Sequence, residues 1–359
     1  MVAVPRFSSL LALRPSLGRA AADEGALGAI ARMAEAAGAP VSRVLADFAA
    51  LSLGPGRATL AEFEVLRLYD PAFWGEQDRR LVLGARRGRA LALEANFRHD
   101  WLALACDPVA AGAYLAAHGL PVRPILAIWR EGLAAPGASL LRTRDELRAF
   151  LERRAGRPLV ARPAEGGHAR TLFAGARRDP AAEIDRLLDE IADAPGVGWV
   201  FQAPVAPHPA LGGQTPPVRL ITLGGERGAR LFRAVWRLGG RDDHVASLDL
   251  KTGQAFWLSP AAAPHRARPA PADLSVPDWP ALKAAAVEGA RLFGQFGLLG
   301  WEIVPGADGP VILGLDPTPD FGLCQLAERR GVLDGELTAF LAERRRAAAA
   351  WRAAEAGLA

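Results

Sequence analysis

Two carboxylates in one predicted hairpin are the first residues of this chain whose spacing could support chemistry. The stretch "GWEIVPGADGPVILGLD" has two apolar runs around the turn Pro305–Gly309, a pattern that predicts a β-hairpin. Glu302, Gly314 and Asp316 all have even numbers, so any even-sum register puts them on one face. Two carboxylates on one face could hold Mg²⁺, which prefers oxygen ligands. The alternative is a salt bridge at Glu302 and a turn-starting aspartate before a proline.

A basic strand followed by a glycine pair could bind an anion. "PLVARPAEGGHARTL" predicts a strand that carries Arg162, a loop with Gly166 and Gly167, and a second short strand. A glycine pair lets backbone N–H groups approach a phosphate that bulkier side chains would keep away. Glycine pairs are also common in ordinary turns, and that alternative stays open. A predicted helix and the strand "GWVFQAPV", which contains Gln202, come next.

Three further side chains are candidates for a role in a reaction. Arg219 in "VRLITLG" and Arg237 in "VWRLG" lie on predicted strands, where a fixed cation could stabilise developing negative charge. Both could equally be surface arginines in an arginine-rich protein. His208 in "APHPAL" is either a substrate contact or a plain loop histidine between prolines.

Composition excludes several classes of protein. The chain has 359 residues, half of them hydrophobic, which is enough for two or three subdomains with a buried core. Its net charge of +4 does not favour nucleic acid binding, because the arginines are scattered among acids rather than gathered in one block. Two cysteines are too few for a disulfide framework, and the six histidines show no metal-ligand spacing.

The same features predict the cellular location of the protein. No window approaches 18 uninterrupted apolar residues, so we expect no membrane span. The first residues lack the continuous apolar core of a secretory signal. Few cysteines fit a reducing compartment, and the sequence therefore predicts a cytoplasmic protein.

Helix and strand signals alternate along the chain. Residues 22–95 read as mostly helical, and an Ala/Arg-rich helix is expected from about residue 333. Helix starts are predicted at Asp107, at Thr143 with Glu146 in capping-box spacing, and at Asp179. Most strands are joined by turns rather than by crossover helices. The class expected is therefore α+β.

These motifs, in this order, resemble the ATP-grasp superfamily. The resemblance is closer to its sugar-transfer-associated, or α-L-glutamate-ligase-related, branch, and it runs from about residue 53 to 333. It rests on "LGPGRATLAEFEVLRLYD", "DPVAAGAYLAAHGLPVRP", "PLVARPAEGGHARTL", "FQAPVAPHPAL", "VRLITL", "LDLKTGQ", "VPDW" and the opening hairpin. The resemblance implies an ATP-grasp fold with an N-terminal helical region and a lid subdomain. The implied parts are a helical arm 1–95, an N-terminal part 96–156, a lid 157–206, a C-terminal lobe 207–332 and a C-terminal helix 333–359.

The resemblance also implies an activity, that of an ATP-dependent carboxylate–amine ligase acting through an acyl phosphate. ATP and Mg²⁺ would be bound, and the substrate would be a small molecule or peptide with a carboxylate and an amine. The implied roles are phosphate binding by Arg162, Gly166 and Gly167, the adenine hinge at Gln202, substrate contact at His208, Mg²⁺ at Glu302 and Asp316, and stabilisation of the transferring phosphoryl group by Arg219 and Arg237.

Several positions depart from the pattern of that family, among them Asp316, which stands where an asparagine is expected. Gly314 stands where the main metal-binding glutamate is expected, and Pro108 and Arg162 stand at two lysine positions. Ala203 replaces the hinge acid that contacts the nucleotide. These changes support an alternative, a degenerate ATP-grasp protein that serves as a binding or partner subunit without catalysis.

Overall fold

The computed structural model describes residues 15–129, 135–164, 169–173, 179–194, 196–238, 244–260 and 268–358, without the side chains of 15–24, 76, 260 and 358. These residues form helices and mixed or antiparallel sheets, so the expected α+β class is confirmed.

The helices and strands are listed in chain order. The helices are α1 (Pro15–Ala37), α2 (Val41–Leu53), α3 (Leu60–Val65), α4 (Glu76–Arg80), α5 (Ala85–Ala95), α6 (Leu102–Cys106), α7 (Pro108–Ala117), α8 (Arg144–Arg154), α9 (Pro180–Asp193), α10 (Trp279–Leu292), α11 (Gly322–Glu328) and α12 (Gly335–Leu358). The strands are β1 (Ile125–Trp129), β2 (Ser139–Leu141), β3 (Leu159–Pro163), β4 (Arg170–Leu172), β5 (Trp199–Gln202), β6 (Val218–Gly225), β7 (Gly228–Leu238), β8 (His244–Leu248), β9 (Ala255–Pro260), β10 (Arg268–Pro269), β11 (Leu298–Gly306) and β12 (Gly309–Asp316).

The chain divides into two compact units, each assembled from separated segments. Unit 1 contains Asp100–Thr215 and Glu302–Asp316. Unit 2 contains Pro216–Trp301, Pro317–Ala359 and the described part of Ser8–His99. The five-part division expected from the sequence stays a prediction.

Local sequence signals start the helices of unit 1 where they were predicted. Asp107 accepts hydrogen bonds from the first-turn amides of α7 at 2.8 and 3.0 Å, and Pro108 follows at the first helical position. Thr143 and Glu146 form a reciprocal capping box at α8. Asp179 caps α9 through the amide of its second residue. Each cap satisfies N–H groups that have no partner inside the helix.

A five-stranded sheet forms the framework of unit 1, in the order β2-β1-β5-β3-β4. Strand β5 is antiparallel to β1 and β3, and Gln202 at its end pairs with both Ile125 and Val160. Cross-strand partners share a face, and so do residues two apart on a strand. Gln202 and Arg162 therefore lie on the same face of this sheet. Apolar side chains of α8 and α9, including Phe150 and Leu187, pack with the sheet in one core.

The second sheet has the order β10-β9-β8-β7-β6-β11-β12. Strands β6 to β10 form an antiparallel run, which confirms the predicted hairpin around "KTG". In unit 2, Trp301 donates through its indole N–H to Thr222 at 3.0 Å, and Thr222 in turn donates to the carbonyl of Leu299 at 3.3 Å. These buried bonds hold the first half of β11 against β6.

The predicted N-terminal helical region appears as α1 to α5 in unit 2. Asn96, which is fully buried, ends this region with four hydrogen bonds: its side chain accepts from the amides of Gly297 and Leu298 and donates to the carbonyls of Leu298 and Pro317. Within the described ranges, no single helix is long and apolar enough to cross a membrane. The pair Gly25–Ala37 and Val41–Leu53 passes the same test only when joined across a bend of 112°.

Candidate functional site

A cavity of about 390 Å³ lies within unit 1. Its size falls in the range of small-molecule sites, about 300–1,000 Å³. Small and apolar residues of α7, among them Ala111, Gly112 and Leu115, form much of its wall. Arg123, Arg162 and Gln202 supply polar groups to the same cavity. This combination suits a ligand with an apolar body and a negatively charged group.

Helix α7 can form this wall because its side chains are short. A Cβ at Gly112 would touch the Ile125 side chain at 4.0 Å, an ordinary contact distance, so the helix runs close to the start of β1. Pro108 also lines the cavity, at the position where the resemblance expects a lysine. A proline side chain carries no charge, and any cation for a phosphate must therefore come from another wall.

Arg162 on β3 is one such cation. Its side chain is half-buried, and its Nη1 donates to the carbonyl oxygen of Leu313 at 3.4 Å, a long hydrogen bond. Burial lowers the pKa of the guanidinium, and the carboxylates of Glu302 and Asp107 act in the opposite direction. The partial burial of this cation and its long bond to Leu313 favour binding of an anionic ligand.

Arg123 is a second cation at the cavity, and sequence reasoning missed it. Its Nε is buried and has no hydrogen-bond partner. Burial, and then the charge of Arg162, lower its pKa to about 10, while Glu302 raises it. The backbone N–H of Arg123 donates to the carbonyl of Ile312 at 3.2 Å, and this contact with β12 brings the arginine to the site. No local motif in "GLPVRP" marks such a long-range pairing, so the sequence carried no signal for it.

Gln202 supplies an acceptor. It is 5 % exposed, and its Oε1 is buried without a hydrogen-bond partner. A buried acceptor without a donor costs roughly 1–3 kcal/mol, which a ligand N–H group could recover. The next residue, Ala203, donates its backbone N–H to the carbonyl of Pro124 at 3.3 Å and adds no acidic side chain.

The predicted hairpin is confirmed as β11 and β12. The loop is only Ala307–Asp308, shorter than the predicted turn Pro305–Gly309. An uninterrupted ladder closed by a two-residue loop sets even-numbered residues of one strand opposite odd-numbered residues of the other. A common face for Glu302 and Asp316 therefore requires an irregularity in this ladder, and the shared face stays a prediction.

The metal site expected at this hairpin depends on few carboxylates. The Glu302 carboxylate raises the pKa of both Arg123 and Arg162, and the salt-bridge alternative for Glu302 stays a prediction. Gly314 lines the cavity and contributes no carboxylate. In the part of the chain that the structure describes, no three His, Cys, Asp or Glu side chains form a group that could hold a metal ion. Mg²⁺ would rely on Glu302, Asp316 and ligand oxygens, a donor set that Mg²⁺ accepts in proteins.

Two other predicted contacts have different outcomes. Gly166 and Gly167, the predicted phosphate loop, lie outside the described residues. His208 begins the short 3₁₀ helix Pro209–Leu211, where its Nδ1 accepts the backbone N–H of Ala210 at 3.2 Å. This bond gives His208 a local structural role, and its substrate role stays a prediction.

Arg219 and Arg237 belong to unit 2. Arg219 on β6 pairs with Val235 on β7, and Arg237 lies two residues farther along β7, so the two arginines share a face of that sheet. Arg219 is 8 % exposed and is therefore not a surface arginine, whereas Arg237 is half-buried. Their shared face supports a joint role, and their function stays a prediction.

The similarity of this chain to known proteins was found in its structure. The sequence matches no protein-family model and no curated protein. Three solved structures show similarity: the ATP-grasp ligase PsnB with a minimal precursor (19% identity, TM-score 0.41), D-alanine–D-alanine ligase from Bacillus anthracis (12%, 0.42) and biotin carboxylase from Campylobacter jejuni (10%, 0.44). The matches cover 69%, 68% and 67% of this chain, and 64%, 68% and 46% of the respective structures. The chain covers less than two thirds of the length of the PsnB structure.

Proposed function

We propose that the cavity of unit 1 binds ATP and that the chain is an ATP-grasp-type carboxylate–amine ligase. The observation that carries the proposal is the convergence of Arg123, Arg162 and the unpartnered Gln202 acceptor on one cavity of ligand size. The order of motifs along the sequence and the ligases among the similar structures agree with it.

Each end of the nucleotide has a matching surface in this proposal. The adenine base lies against the apolar wall of α7, and its exocyclic amine donates to Gln202. The phosphates lie at Arg162, because a guanidinium offers a planar fork that matches phosphate oxygens. Gly166 and Gly167 would bind the phosphates through backbone N–H groups, as the resemblance implies.

The proposed reaction has two steps. A substrate carboxylate oxygen attacks the γ-phosphorus of ATP, ADP leaves, and an acyl phosphate forms. An amine then attacks the acyl carbon, phosphate leaves, and an amide or peptide bond remains. Arg219 and Arg237 stabilise the charge of the transferring group, Glu302 and Asp316 hold Mg²⁺, and His208 contacts the substrate. Mg²⁺ would neutralise phosphate charge when bound.

Nucleotide binding is the first test. At about 100 times its dissociation constant, ATP should stabilise the folded protein by about 2.7 kcal/mol. A thermal-shift series with ATP and with adenosine, checked by calorimetry, measures this, and the Arg162→Ala variant serves as the site control. An identical shift in wild type and Arg162→Ala would place the nucleotide elsewhere, and no shift in either would end the proposal.

A second candidate is binding without turnover, and specific positions favour it. Gly314, Pro108 and Ala203 supply none of the acidic or basic side chains expected there. ADP formation measured with a panel of carboxylates and amines separates the two candidates. ATP binding without ADP formation favours the binding subunit, and so does a gain of ADP formation in Gly314→Glu with Asp316→Asn, which restores the family pattern at the hairpin.

A further inference from the structure

Arg123 lines the cavity, but the proposed function assigns it no role of its own. Its backbone is fixed twice against β12, since Arg123 N–H donates to the Ile312 carbonyl at 3.2 Å and Ile312 N–H donates to the Pro121 carbonyl at 2.7 Å. Prolines at 121 and 124 restrict the backbone on either side. Arg123 therefore lines the cavity from a segment that is bonded to β12.

The surroundings of Arg123 are unfavourable for a cation in the free protein. Its Nε is buried without a partner, and Arg162 repels it across the same cavity. Glu302 offsets this repulsion but acts on both arginines at once, and Asp107 acts on Arg162 while it caps α7. Two half-buried guanidiniums around one cavity are stabilised by a ligand that carries more than one negative charge.

We propose that Arg123 is a second phosphate-binding residue, which makes the cavity selective for nucleotides with two or three phosphates. This inference rests on the proposed function. Arg123 supplies, from the segment before β1, the cation that Pro108 cannot supply from α7. With Arg162 it forms a two-arginine clamp on adjacent phosphate groups. A single phosphate group binds only one of the two guanidiniums. Affinity should therefore increase from adenosine to AMP, and again from AMP to ADP, where the second phosphate binds the second arginine.

The test compares ligands that differ only in phosphate number. Adenosine, AMP, ADP, ATP and inorganic tripolyphosphate are titrated calorimetrically into wild type, Arg123→Gln, Arg123→Lys and Arg157→Gln. Arg157 is an exposed arginine in the same unit and serves as the matched control. In Arg123→Gln, we expect ATP and ADP affinity to fall about 10- to 100-fold and adenosine affinity to stay within about twofold. Arg123→Lys should fall in between, because it keeps the charge and loses the fork.

Stability provides an independent readout. Removal of a buried, repelled cation should leave the melting temperature of the ligand-free Arg123→Gln protein equal to or above that of wild type, while ATP stabilises it less. A purely structural arginine would show the reverse, a lower melting temperature with equal loss of affinity for adenosine and ATP. That result, or unchanged ATP affinity in Arg123→Gln, overturns the inference and leaves the proposed function intact.

The inference and the proposed function can also fail separately. If tripolyphosphate binds in an Arg123-dependent manner but adenosine and ATP show no adenine-dependent affinity, the arginine clamp stands and the nucleotide site does not. If wild type binds neither ATP nor tripolyphosphate, both are overturned.

Discussion

Replacement of Arg162 by alanine should weaken ATP binding far more than replacement of Arg237. Arg162 lines the cavity, burial of its guanidinium lowers its pKa, and its hydrogen bond to the Leu313 carbonyl is long. A hydrogen bond from this guanidinium to phosphate would therefore replace a weak hydrogen bond to the Leu313 carbonyl. Charge-assisted hydrogen bonds contribute about 1.5–3 kcal/mol each. Since 1.4 kcal/mol is about tenfold, Arg162→Ala should raise the dissociation constant roughly 10- to 150-fold.

The comparison with Arg237→Ala makes this result specific. Arg237 lies on β7 and is proposed to act when charge develops on the transferring phosphoryl group, so its loss should leave ATP affinity within about threefold and lower turnover. Arg162→Lys should recover part of the lost affinity as a point charge. Isothermal titration of ATP into the three variants measures affinity, ADP formation measures turnover, and circular dichroism verifies folding. Equal losses of affinity in Arg162→Ala and Arg237→Ala would refute the reasoning.

Three further outcomes are expected. Gln325→Ala should lower the free energy of unfolding by about 2–5 kcal/mol in a denaturant titration, because the fully buried Gln325 side chain bonds both backbone groups of Leu83 at 2.7 and 3.0 Å. Asp316→Asn should remove the Mg²⁺ dependence of ATP affinity. If this dependence is unchanged, Asp316 is a turn residue and does not bind Mg²⁺ together with Glu302. Burial raises the pKa of Glu328 from 4.5 to about 7, so the folded state holds this proton more tightly than the unfolded chain. The stability that this proton provides is complete below pH 4.5 and is lost as pH rises to about 7, by up to about 3 kcal/mol. Unfolding curves across this pH range should show the slope in wild type and not in Glu328→Gln.

The local elements of this protein could be predicted from the sequence. The caps at Asp107, Thr143 and Asp179, the two hairpins and the C-terminal helix follow from interactions among residues a few positions apart. Capping, turn formation and hydrophobic periodicity act over that range, and the residues that produce them are adjacent in the sequence. Arg162 and Gln202 were each predicted to lie on a strand for the same reason, whereas the pairing of β3 with β5 was decided by tertiary structure.

Other features of the site were decided by tertiary structure alone. Arg123 became a cavity residue because its segment bonds to Ile312, far away in the chain, and no pattern around Arg123 encodes that pairing. The unpartnered Oε1 of Gln202 and the lowered pKa of Arg123 likewise depend on what packing excludes from a buried volume. The hairpin shows both levels, since the sequence predicted its two strands and the structure shows a loop shorter than the predicted turn. Burial and charge coupling arise only when separate segments share one cavity, and no short stretch of sequence contains that information.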